Sequence, residues 1–304
     1  MAGKILIVGS IALDNVRTPF GKVEEALGGA AVYSSVAASY FAPVRLVGVV
    51  GNDFPAEHEE FLQKRSIDLR GLEHASGNTF RWSGYYDFDL NQAHTLETHL
   101  NVFADFLPRI PQEYRETEYV FLANIDPDLQ LMVLDQVKSP KLTVCDTMNF
   151  WIEKKRDSLA KVFERVDVVF INDAEARQFC GTTSLVKAAR QIRRMGPSAV
   201  IVKKGEHGAV MVFGNSYFAA PSYPLEDVSD PTGAGDSFAG GFIGYVASTG
   251  DISESGLRKA TIYGSTVASF NVEDFSLRRL ASLCKKDITG RYQELRAISQ
   301  FGAE

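Results

Sequence analysis

The sequence has few cysteines, and their spacing matches no known type of site. There are 3 cysteines among 304 residues, Cys145, Cys180 and Cys284, with no C-x-x-C pair. An odd count without close pairs excludes a framework of disulfides and argues against a zinc site made of thiolates. We therefore expect a chain that folds without a disulfide or structural metal, in a reducing compartment, and we predict a cytoplasmic protein.

Long apolar runs and an excess of positive charge are also missing. The amino-terminal segment MAGKILIVGS contains only a short apolar run, and no later segment approaches the roughly 20 apolar residues of a membrane span. The chain has 32 basic and 38 acidic residues, a net charge of −6. Proteins that bind a phosphate backbone usually carry a basic excess or stripe, so we expect neither a membrane nor a nucleic acid as a partner.

Three familiar site motifs are absent. The sequence contains no G-x-x-x-x-G-K-[ST], no strand followed by G-x-G-x-x-G, and no G-x-S-x-G. This excludes a P-loop, a dinucleotide fingerprint and the usual nucleophile elbow of a serine hydrolase. A phosphate site, if present, must be built from another segment.

Apolar residues make up 45% of the chain, enough for a large core. Short apolar, β-branched runs predict buried strands at 4–8, 45–50, 119–122, 141–145, 167–171 and 199–202. Helical spacing occupies much of the intervening chain, at 30–41, 56–64, 129–137, 151–163 and 185–194. Alternation of strand and helix predicts an α/β fold with a mainly parallel central sheet and helices on both faces.

Two polar segments interrupt this alternation, about 15–27 and 79–105. Both contain β-forming residues without a sustained helical period, so we predict a separate small sheet. In the second segment Phe80, Trp82, Tyr86 and Phe88 share one parity, which would place them on one face of a continuous strand. That face is either packed or buried in a dimer, or it stacks on a ligand.

The segment DPTGAGDSFAGGF, residues 230–242, carries the clearest chemical signal. An Asp-Pro turn precedes apolar residues at helical spacing, so Gly233, Ala234 and Gly235 should lie at the start of a helix. Free backbone N–H groups and the positive end of the helix dipole would stabilise a phosphate there. Asp236 would stand beside this anion hole as a base for an attacking hydroxyl. A glycine-rich turn capped by Asp236 is the simpler structural explanation.

The same segment resembles the carboxy-terminal signature D-x-T-G-A-G-D-x-F of the ribokinase-like (PfkB) carbohydrate kinase family. Further family landmarks follow in the expected order along nearly the whole chain. They are Asp14 after the first strand, the diglycine Gly28-Gly29, the loop ending at Asp53, the N-x-x-E element Asn172 to Glu175, and the glycine turn Gly205 to Gly208. Taken singly, each is equally explained by a loop acid, a turn or a helix cap.

This resemblance implies one ribokinase-like kinase domain over 1–304, with a discontinuous β lid at about 15–27 and 79–105. The expected activity is ATP-dependent phosphorylation of a hydroxyl on a sugar or nucleoside. Asp14, Gly28 and Gly29 would bind that substrate, with Trp82 in the lid. Lids of this family commonly pair, so we expect a homodimer through the lid.

The donor side also follows from the resemblance. Asn172, Glu175, Gly205 and Gly208 would face ATP, and Glu175 would hold Mg²⁺ through water. Asp230 and Thr232 match a loop that binds a monovalent cation such as K⁺ in relatives.

Three positions depart from the family pattern. Tyr33 replaces the Asn with which many relatives contact a sugar, so that contact is not carried over and the resemblance does not imply a pentose substrate, although Tyr33 stays a candidate for substrate binding. Lys203 stands where relatives often have Thr, and it either approaches the nucleotide phosphates or lies in solvent. Ser276 replaces a usual Gly in the late loop, near which Ser265 is a candidate adenine contact.

Two other functions fit parts of the sequence. The fragment Gly235-Asp236-Ser237 occurs in some serine hydrolases, with the serine as nucleophile, although usually near the amino terminus. A non-catalytic protein that binds a sugar or nucleotide on the same fold is the other alternative, because a fold does not guarantee an activity.

Overall fold

A computed structural model describes residues 2–300 of the chain. In that part, the strands are β1 (Ile5–Val8), β2 (Ala12–Thr18), β3 (Gly21–Gly28), β4 (Val44–Val50), β5 (Ile67–His74), β6 (Phe80–Tyr86), β7 (Ala93–His99), β8 (Tyr119–Leu122), β9 (Leu142–Cys145), β10 (Val168–Asn172), β11 (Ala199–Lys203), β12 (Ala209–Phe213) and β13 (Ser216–Ala220).

The α-helices are α1 (Ala30–Ser39), α2 (Ala56–Lys64), α3 (Pro127–Leu134), α4 (Asn149–Lys154), α5 (Arg156–Phe163), α6 (Asp173–Cys180), α7 (Leu185–Arg193), α8 (Ala234–Thr249), α9 (Glu254–Asn271), α10 (Arg278–Ser282) and α11 (Lys285–Ile298). Short 3₁₀ helices occupy Asn101–Asp105, Gln112–Tyr114 and Gly205–His207.

Nine strands of the described chain form the central sheet, in the order β13-β12-β11-β10-β9-β8-β1-β4-β5. The seven strands from β11 to β5 run parallel, and only the β12-β13 hairpin at one edge is antiparallel. The prediction of a mainly parallel α/β sheet is confirmed. All seven parallel strands therefore present their carboxyl ends at the same edge of the sheet.

The core lies on both faces of this sheet. Along β1, Ile5 and Ile7 pack into one apolar cluster, whereas Leu6 and Val8 pack into the other. All four side chains are fully buried. A strand that is covered on both faces has a continuous run of apolar residues. The central strands could therefore be predicted from the sequence.

Helix α8 lies unusually close to its neighbours. A Cβ atom on Gly240 would stand 2.6 Å from the Cβ of Ala37 in α1, and one on Gly241 would stand 2.9 Å from the carbonyl oxygen of Tyr263 in α9. These two glycines therefore allow α8 to pack closely between α1 and α9.

A second sheet of the described chain contains four strands in the order β3-β2-β6-β7. Strands β2 and β6 pair in parallel, while β2-β3 and β6-β7 are antiparallel. The sheet begins at Ala12, slightly before the predicted 15–27 segment. The end of the other predicted segment, Asn101–Asp105, forms a 3₁₀ helix whose Val102 joins the core.

The predicted aromatic face is shorter than expected. Strand β6 ends at Tyr86, so Phe88 lies in the following turn, where 82% of its surface is exposed and its ring approaches that of Phe20. The indole of Trp82 covers Gly84 on the same face of the strand. The prediction of one aromatic face assumed a continuous strand, but the strand ends at the turn that leads to β7.

The single helix predicted over 151–163 is wrong. Lys155 has φ −139° and ψ 39°, outside helical geometry, and it separates α4 from α5. Its ammonium lies 2.7 Å from Asp126 and 2.5 Å from Asp128 at the start of α3. The helix is thus interrupted at Lys155, where an ion-pair network joins it to α3. The helical periodicity of the sequence did not reveal this interruption.

None of the helices within residues 2–300 combines the length and apolar character needed to cross a membrane.

Candidate active site

Polar residues end three neighbouring strands at the carboxyl edge of the central sheet. Asp146 follows β9, Asn172 ends β10 and Lys203 ends β11. In parallel α/β sheets this edge is where ligands bind. The amino terminus of α8 lies at the same edge, because Lys203 Nζ stands only 3.0 Å from the position that a Cβ on Gly235 would occupy.

The start of α8 has the geometry expected of an anion hole. Gly233 is the N-cap with φ 75°, a left-handed conformation that favours glycine, and Ala234 and Gly235 begin the helix. No side chain caps this end in the described structure. The backbone N–H of Ala234 donates to the carbonyl of Pro231 at 3.1 Å, whereas those of Gly233 and Gly235 donate to no other backbone group within residues 2–300. These two N–H groups are therefore available for an anion, and the helix dipole favours negative charge there.

Asp236 lies in the first turn of α8 and is half-buried. Burial raises the pKa of its carboxyl to about 7, with a further contribution from the negative charge of Asp146, and the ammonium of Lys203 opposes the rise. A carboxyl that titrates near neutral pH can accept a proton from a hydroxyl and release it again. The position beside the anion hole suits a general base.

Asp14 and the diglycine form a second part of the site. Asp14 lies on β2 and is 4% exposed. A Cβ atom on Gly28 would collide with its carboxylate, and Gly29 adopts φ 93° as the N-cap of α1. Burial raises the pKa of Asp14 to about 7, and the charge of Asp230 contributes in the same direction. The sequence prediction that Asp14 and the diglycine act together is consistent with this contact.

Tyr33 lies between the two parts. Its ring packs against Gly233 at the anion hole, and the residue is 1% exposed. The hydroxyl makes no hydrogen bond of good geometry within residues 2–300. Burial raises the pKa of this phenol well above its usual value, the charges of Asp14 and Asp230 add to the effect, and the nearby side chain of Ser276 opposes it. Tyr33 therefore presents a buried O–H group close to two carboxylates.

The loop before α8 is tied to the acceptor side by Ser276. Asp230 is fully buried, and its two carboxylate oxygens accept hydrogen bonds from the backbone N–H of Thr232 (2.9 Å) and of Ser276 (3.1 Å). Ser276 has φ 53°, so it keeps the left-handed geometry for which relatives use Gly. Its hydroxyl donates to the carbonyl of Leu27, just before the diglycine, at 2.8 Å.

Asn172 and Glu175 form a capping box at the start of α6. The Glu175 carboxylate accepts from the backbone N–H of Asn172, and the Asn172 side-chain oxygen accepts from that of Glu175, both at 2.8 Å. Burial raises the pKa of Glu175 to about 7, an effect that the ammonium of Lys203 opposes. The capping explanation is thus correct, and it leaves the second oxygen of Glu175 available for other contacts.

Lys203 is not a solvated lysine. Its side chain is 17% exposed, and its ammonium lies 2.5 Å from the carboxylate of Asp146. Burial acts to lower the pKa of Lys203, but Asp146, Glu175 and Asp236 outweigh it, so the pKa is raised. The solvent alternative for Lys203 is wrong, and the ammonium is charged.

The remaining predicted donor-side residues are spread more widely. Gly205 begins the 3₁₀ turn after β11 and Gly208 follows it, with φ 54° and 75°. Asn91, in the turn between β6 and β7, stands 3.8 Å from the position of a Cβ on Gly205. Ser265 is buried in α9, and no hydrogen bond within residues 2–300 joins it to the other predicted site residues.

The small sheet reaches the loop that leads into α8, residues 229–233. The hydroxyls of Tyr86 and Thr232 are 3.3 Å apart, and Thr18 donates to the carbonyl of Ser229 at 2.9 Å. Trp82 lies on the Tyr86 face of β6, and its indole N–H donates to Thr95 at 3.1 Å. The sheet therefore lies over the segment that leads into α8.

Ser237 lacks the environment of a nucleophile. It is fully buried in α8, and its hydroxyl donates to the side-chain oxygen of Asn271 at 3.0 Å. Asn271 in turn donates to the carbonyl of Thr232 at 2.7 Å. These contacts give Ser237 a structural role in holding the loop, and they speak against the serine hydrolase alternative.

Sequence reasoning missed Asp146 and did not assign Tyr86 to the site. Asp146 directly follows a buried strand, just as Asn172 and Lys203 end the next two strands. Because ligands bind at the carboxyl ends of parallel strands, this position could have identified Asp146 from the sequence. Tyr86 and Trp82 are an even number of residues apart and so share a face of the strand. The spacing alone does not tell which face of the strand turns toward the loop before α8.

No group of three or more His, Cys, Asp or Glu side chains within residues 2–300 is arranged to hold a metal ion. Asp146, Glu175 and Asp236 are the acidic groups whose charges act on Lys203 beside the start of α8.

Residues 4–282 match the model of the pfkB family carbohydrate kinases. Among known proteins, the chain is 33% identical to the cytidine kinase of Thermococcus kodakarensis over 246 residues, 79% of this chain and 87% of the relative. It is 26% identical to the nucleoside kinase of Methanothermobacter thermautotrophicus over 288 residues, 89% of each protein.

Solved structures with the same fold include two nucleoside kinases. The Methanocaldococcus jannaschii nucleoside kinase, described as an archaeal member of the ribokinase family, superposes with a TM-score of 0.78 at 23% identity over 96% of this chain and 98% of that one. The Burkholderia thailandensis nucleoside kinase in complex with ADP-inosine has a TM-score of 0.80 at 18% identity, with 96% of each chain covered. These similarities extend over the whole architecture.

Proposed function

The chain belongs to the pfkB family of carbohydrate kinases and is an ATP-dependent phosphotransferase for a sugar or nucleoside hydroxyl, and from this premise we propose that its acceptor is a nucleoside. Kinases of this family use ATP and a divalent metal ion. The choice of nucleoside over free sugar is supported by the relatives at 33% and 26% identity, which are named as a cytidine kinase and a nucleoside kinase.

Asp236 beside the anion hole is the observation on which the mechanism depends. We propose that its carboxylate takes the proton of an acceptor hydroxyl while that oxygen bonds to the γ-phosphorus of ATP and the bond to ADP breaks. Gly233 and Gly235 would stabilise the phosphoryl oxygens through backbone N–H groups, and Ala234 would hold the turn between them through its hydrogen bond to Pro231. The pKa of about 7 supports this role.

Asp14 would hold the acceptor by accepting hydrogen bonds from sugar hydroxyls, with Gly28 and Gly29 keeping the backbone close. The orphan hydroxyl of Tyr33 would donate to the acceptor, and Trp82 would cover it from the small sheet. Phosphoryl transfer requires mainly alignment and charge stabilisation, which such contacts provide.

On the donor side we propose that Lys203, Asn172, Glu175 and the Gly205 to Gly208 turn receive ATP, with Ser265 near the adenine. Mg²⁺ would enter as the ATP complex, with Glu175 as its protein neighbour through water. The buried carboxylate of Asp230 has no cationic side chain within ion-pair distance in residues 2–300, so a monovalent cation such as K⁺ bound near Asp230 and Thr232 would neutralise it.

We further propose that the small sheet, about 15–27 and 79–105, is a lid on a single domain spanning 1–304, and that the lid pairs in a homodimer. Phe20, Leu96 and Leu100, together with Phe88, are exposed on or beside this sheet and would be covered in such a pair. The use of ATP and the reduced cysteines support a cytoplasmic location.

The deciding experiment is a screen for ADP release with ATP and Mg²⁺ over pyrimidine and purine nucleosides, ribose, fructose and inositol. The Asp236→Asn protein serves as the blank, and a parallel series contains excess chelator. We expect a nucleoside to give the highest kcat/KM and chelator to abolish turnover. A free sugar as the best acceptor would contradict the nucleoside proposal, and binding without turnover of any acceptor would favour a non-catalytic protein.

A further inference from the structure

Lys203 and Asp146 form an ion pair across an intervening strand. Their strands, β11 and β9, are separated by β10 in the sheet, and Asn172 at the end of β10 lies in register with Lys203. The stem of Lys203 passes near Phe170, with the ammonium 5.9 Å from the ring centroid. The ammonium therefore lies above the sheet edge rather than pointing into solvent.

The position of this ammonium is electrostatically unusual. Nζ lies 3.0 Å from where a Cβ on Gly235 would stand, so it faces the amino terminus of α8. The positive end of a helix dipole repels a cation and attracts an anion. A buried cation at this place is unfavourable on its own, and the carboxylate of Asp146, 4% exposed and 2.5 Å away, offsets the repulsion.

Asp146 is itself held in place. Its Oδ1 accepts from the backbone N–H of Thr147 at 2.9 Å, and its carbonyl accepts from the side chain of Gln130 at 3.0 Å. Gln130 is fully buried in α3 and bridges the ends of β8 and β9 through the carbonyls of Ala123 and Asp146. The carboxylate that holds Lys203 thus belongs to the rigid edge of the sheet.

We propose that Lys203 binds the phosphoryl group during transfer and that Asp146 is the positioning residue that holds the Lys203 ammonium at the anion hole. This inference rests on the proposed kinase mechanism and adds a role for Asp146. Two cationic elements, the ammonium and the start of α8, converge on one point, and an anion placed between them satisfies both. Because an ammonium has three N–H donors, Lys203 would keep its contact with Asp146 while a second N–H donates to a phosphoryl oxygen.

The first test measures binding without any acceptor. A non-hydrolysable ATP analogue with an imido β,γ bridge and ADP are titrated into wild type, Lys203→Met and Asp146→Asn by calorimetry. We expect wild type to prefer the triphosphate, and Lys203→Met to lose about tenfold or more of that preference while ADP binding changes little. An unchanged preference in Lys203→Met would overturn the inference, even if no nucleoside proves to be phosphorylated.

The second test is a kinetic cycle. Lys203→Met should lower kcat by about 100-fold with the acceptor KM nearly unchanged, because a charge that acts on the transition state is removed. Asp146→Asn should lower kcat by about tenfold, and the double variant should be no slower than Lys203→Met. Lys155→Met is the matched control, since Lys155 forms a similar carboxylate pair away from the site. Additive losses would show that Asp146 does not act through Lys203.

A third measurement separates a chemical role from a structural one. Ethylammonium added to Lys203→Ala should restore part of kcat by occupying the vacated space, and should restore less in the Lys203→Ala, Asp146→Asn double variant. No rescue at any amine concentration, with the variant folded by circular dichroism, would contradict the role of the ammonium. If Asp146→Asn does not fold, the titration and the rescue of Lys203→Ala still decide.

Discussion

Gly28 and Asp14 lie so close that a Cβ atom on Gly28 would stand 2.5 Å from the carboxyl carbon of Asp14. The φ of Gly28 lies outside the left-handed region, whereas Gly29 has φ 93°. The first glycine of the pair is therefore required by the space that Asp14 occupies, and the second by its backbone conformation. This contact sets the position of the carboxylate that we assign to the acceptor.

Replacing Gly28 with Ala should displace the Asp14 carboxylate without straining the backbone. We expect the acceptor KM to rise by about tenfold or more, with the KM for ATP nearly unchanged, because a displacement of about 1 Å can cost up to 100-fold. Gly290→Ala is the control, since Gly290 lies in α11 with open space around its Cβ position. Steady-state kinetics with each substrate varied will test this, and equal acceptor KM values in both variants would contradict it.

Asp236→Asn should remove the base and keep the shape of the site. We expect kcat to fall by on the order of 100-fold or more, with ATP binding retained in a calorimetric titration. Asp287→Asn, which changes an acid in the first turn of α11, should leave kcat near the wild-type value. Turnover of Asp236→Asn within a few fold of wild type would show that another group accepts the proton.

Stability should depend on pH through the same carboxyl. Its pKa is about 7 in the folded protein and 3.8 in a model peptide, so between these values the folded state holds more protons than the unfolded state. The free energy of unfolding therefore decreases as pH rises from about 4 to about 7.

Asp236→Asn removes that contribution. We expect the variant to gain stability over wild type from about pH 5 to about pH 8, by on the order of 1 kcal/mol or more, in urea denaturation without nucleotide. A difference that stays constant with pH would mean that the folded pKa of Asp236 is ordinary.

Tyr33→Phe tests the buried hydroxyl without changing the ring against Gly233. A buried hydroxyl without a partner costs about 1 to 3 kcal/mol, so the variant should be at least as stable as wild type in thermal unfolding. If Tyr33 donates to the acceptor, the acceptor KM should still rise, by about fivefold or more. A stable variant with an unchanged KM would remove Tyr33 from the site.

Trp82→Ala tests the small sheet as a lid. Loss of the indole should admit water, raise the ratio of ATP hydrolysis to acceptor phosphorylation by about tenfold, and weaken either acceptor binding or dimerisation. Tyr217→Ala is the comparison, because Tyr217 is an exposed aromatic residue on β13, outside the small sheet. The two variants are compared by product ratio and by light scattering. Wild-type behaviour of Trp82→Ala in all three properties would mean that the lid is misplaced.

Elements buried on both faces were predictable, and those covered on one face were less so. Strands such as β1 and β8 read as apolar runs and were found within a residue or two. Strand β5, at an edge of the sheet and partly exposed, and the β12-β13 hairpin were not identified. Their burial depends on the helices that pack on them, which local pattern does not show.

The candidate site divides in the same way. The sequence alone located the turn from Gly233 to Asp236. An Asp-Pro pair, glycines and helical spacing are local signals, and one short segment contains all of them. The sequence could not show that Lys203 is buried rather than solvated, because its partner, Asp146, is distant in sequence and separated by one strand.

Sequence by itself therefore determined the α/β architecture and the glycine turn at the start of α8, which depend on periodicity and backbone preference within one segment. Only the tertiary structure decided which groups meet: the charges of Asp146 and Lys203, the carboxylate of Asp14 beside Gly28, and the hydroxyls of Tyr86 and Thr232. These contacts join residues from different strands and helices, so they are set by how the elements pack rather than by any one of them. The physical reason is that burial and Coulomb energy depend on distance in space.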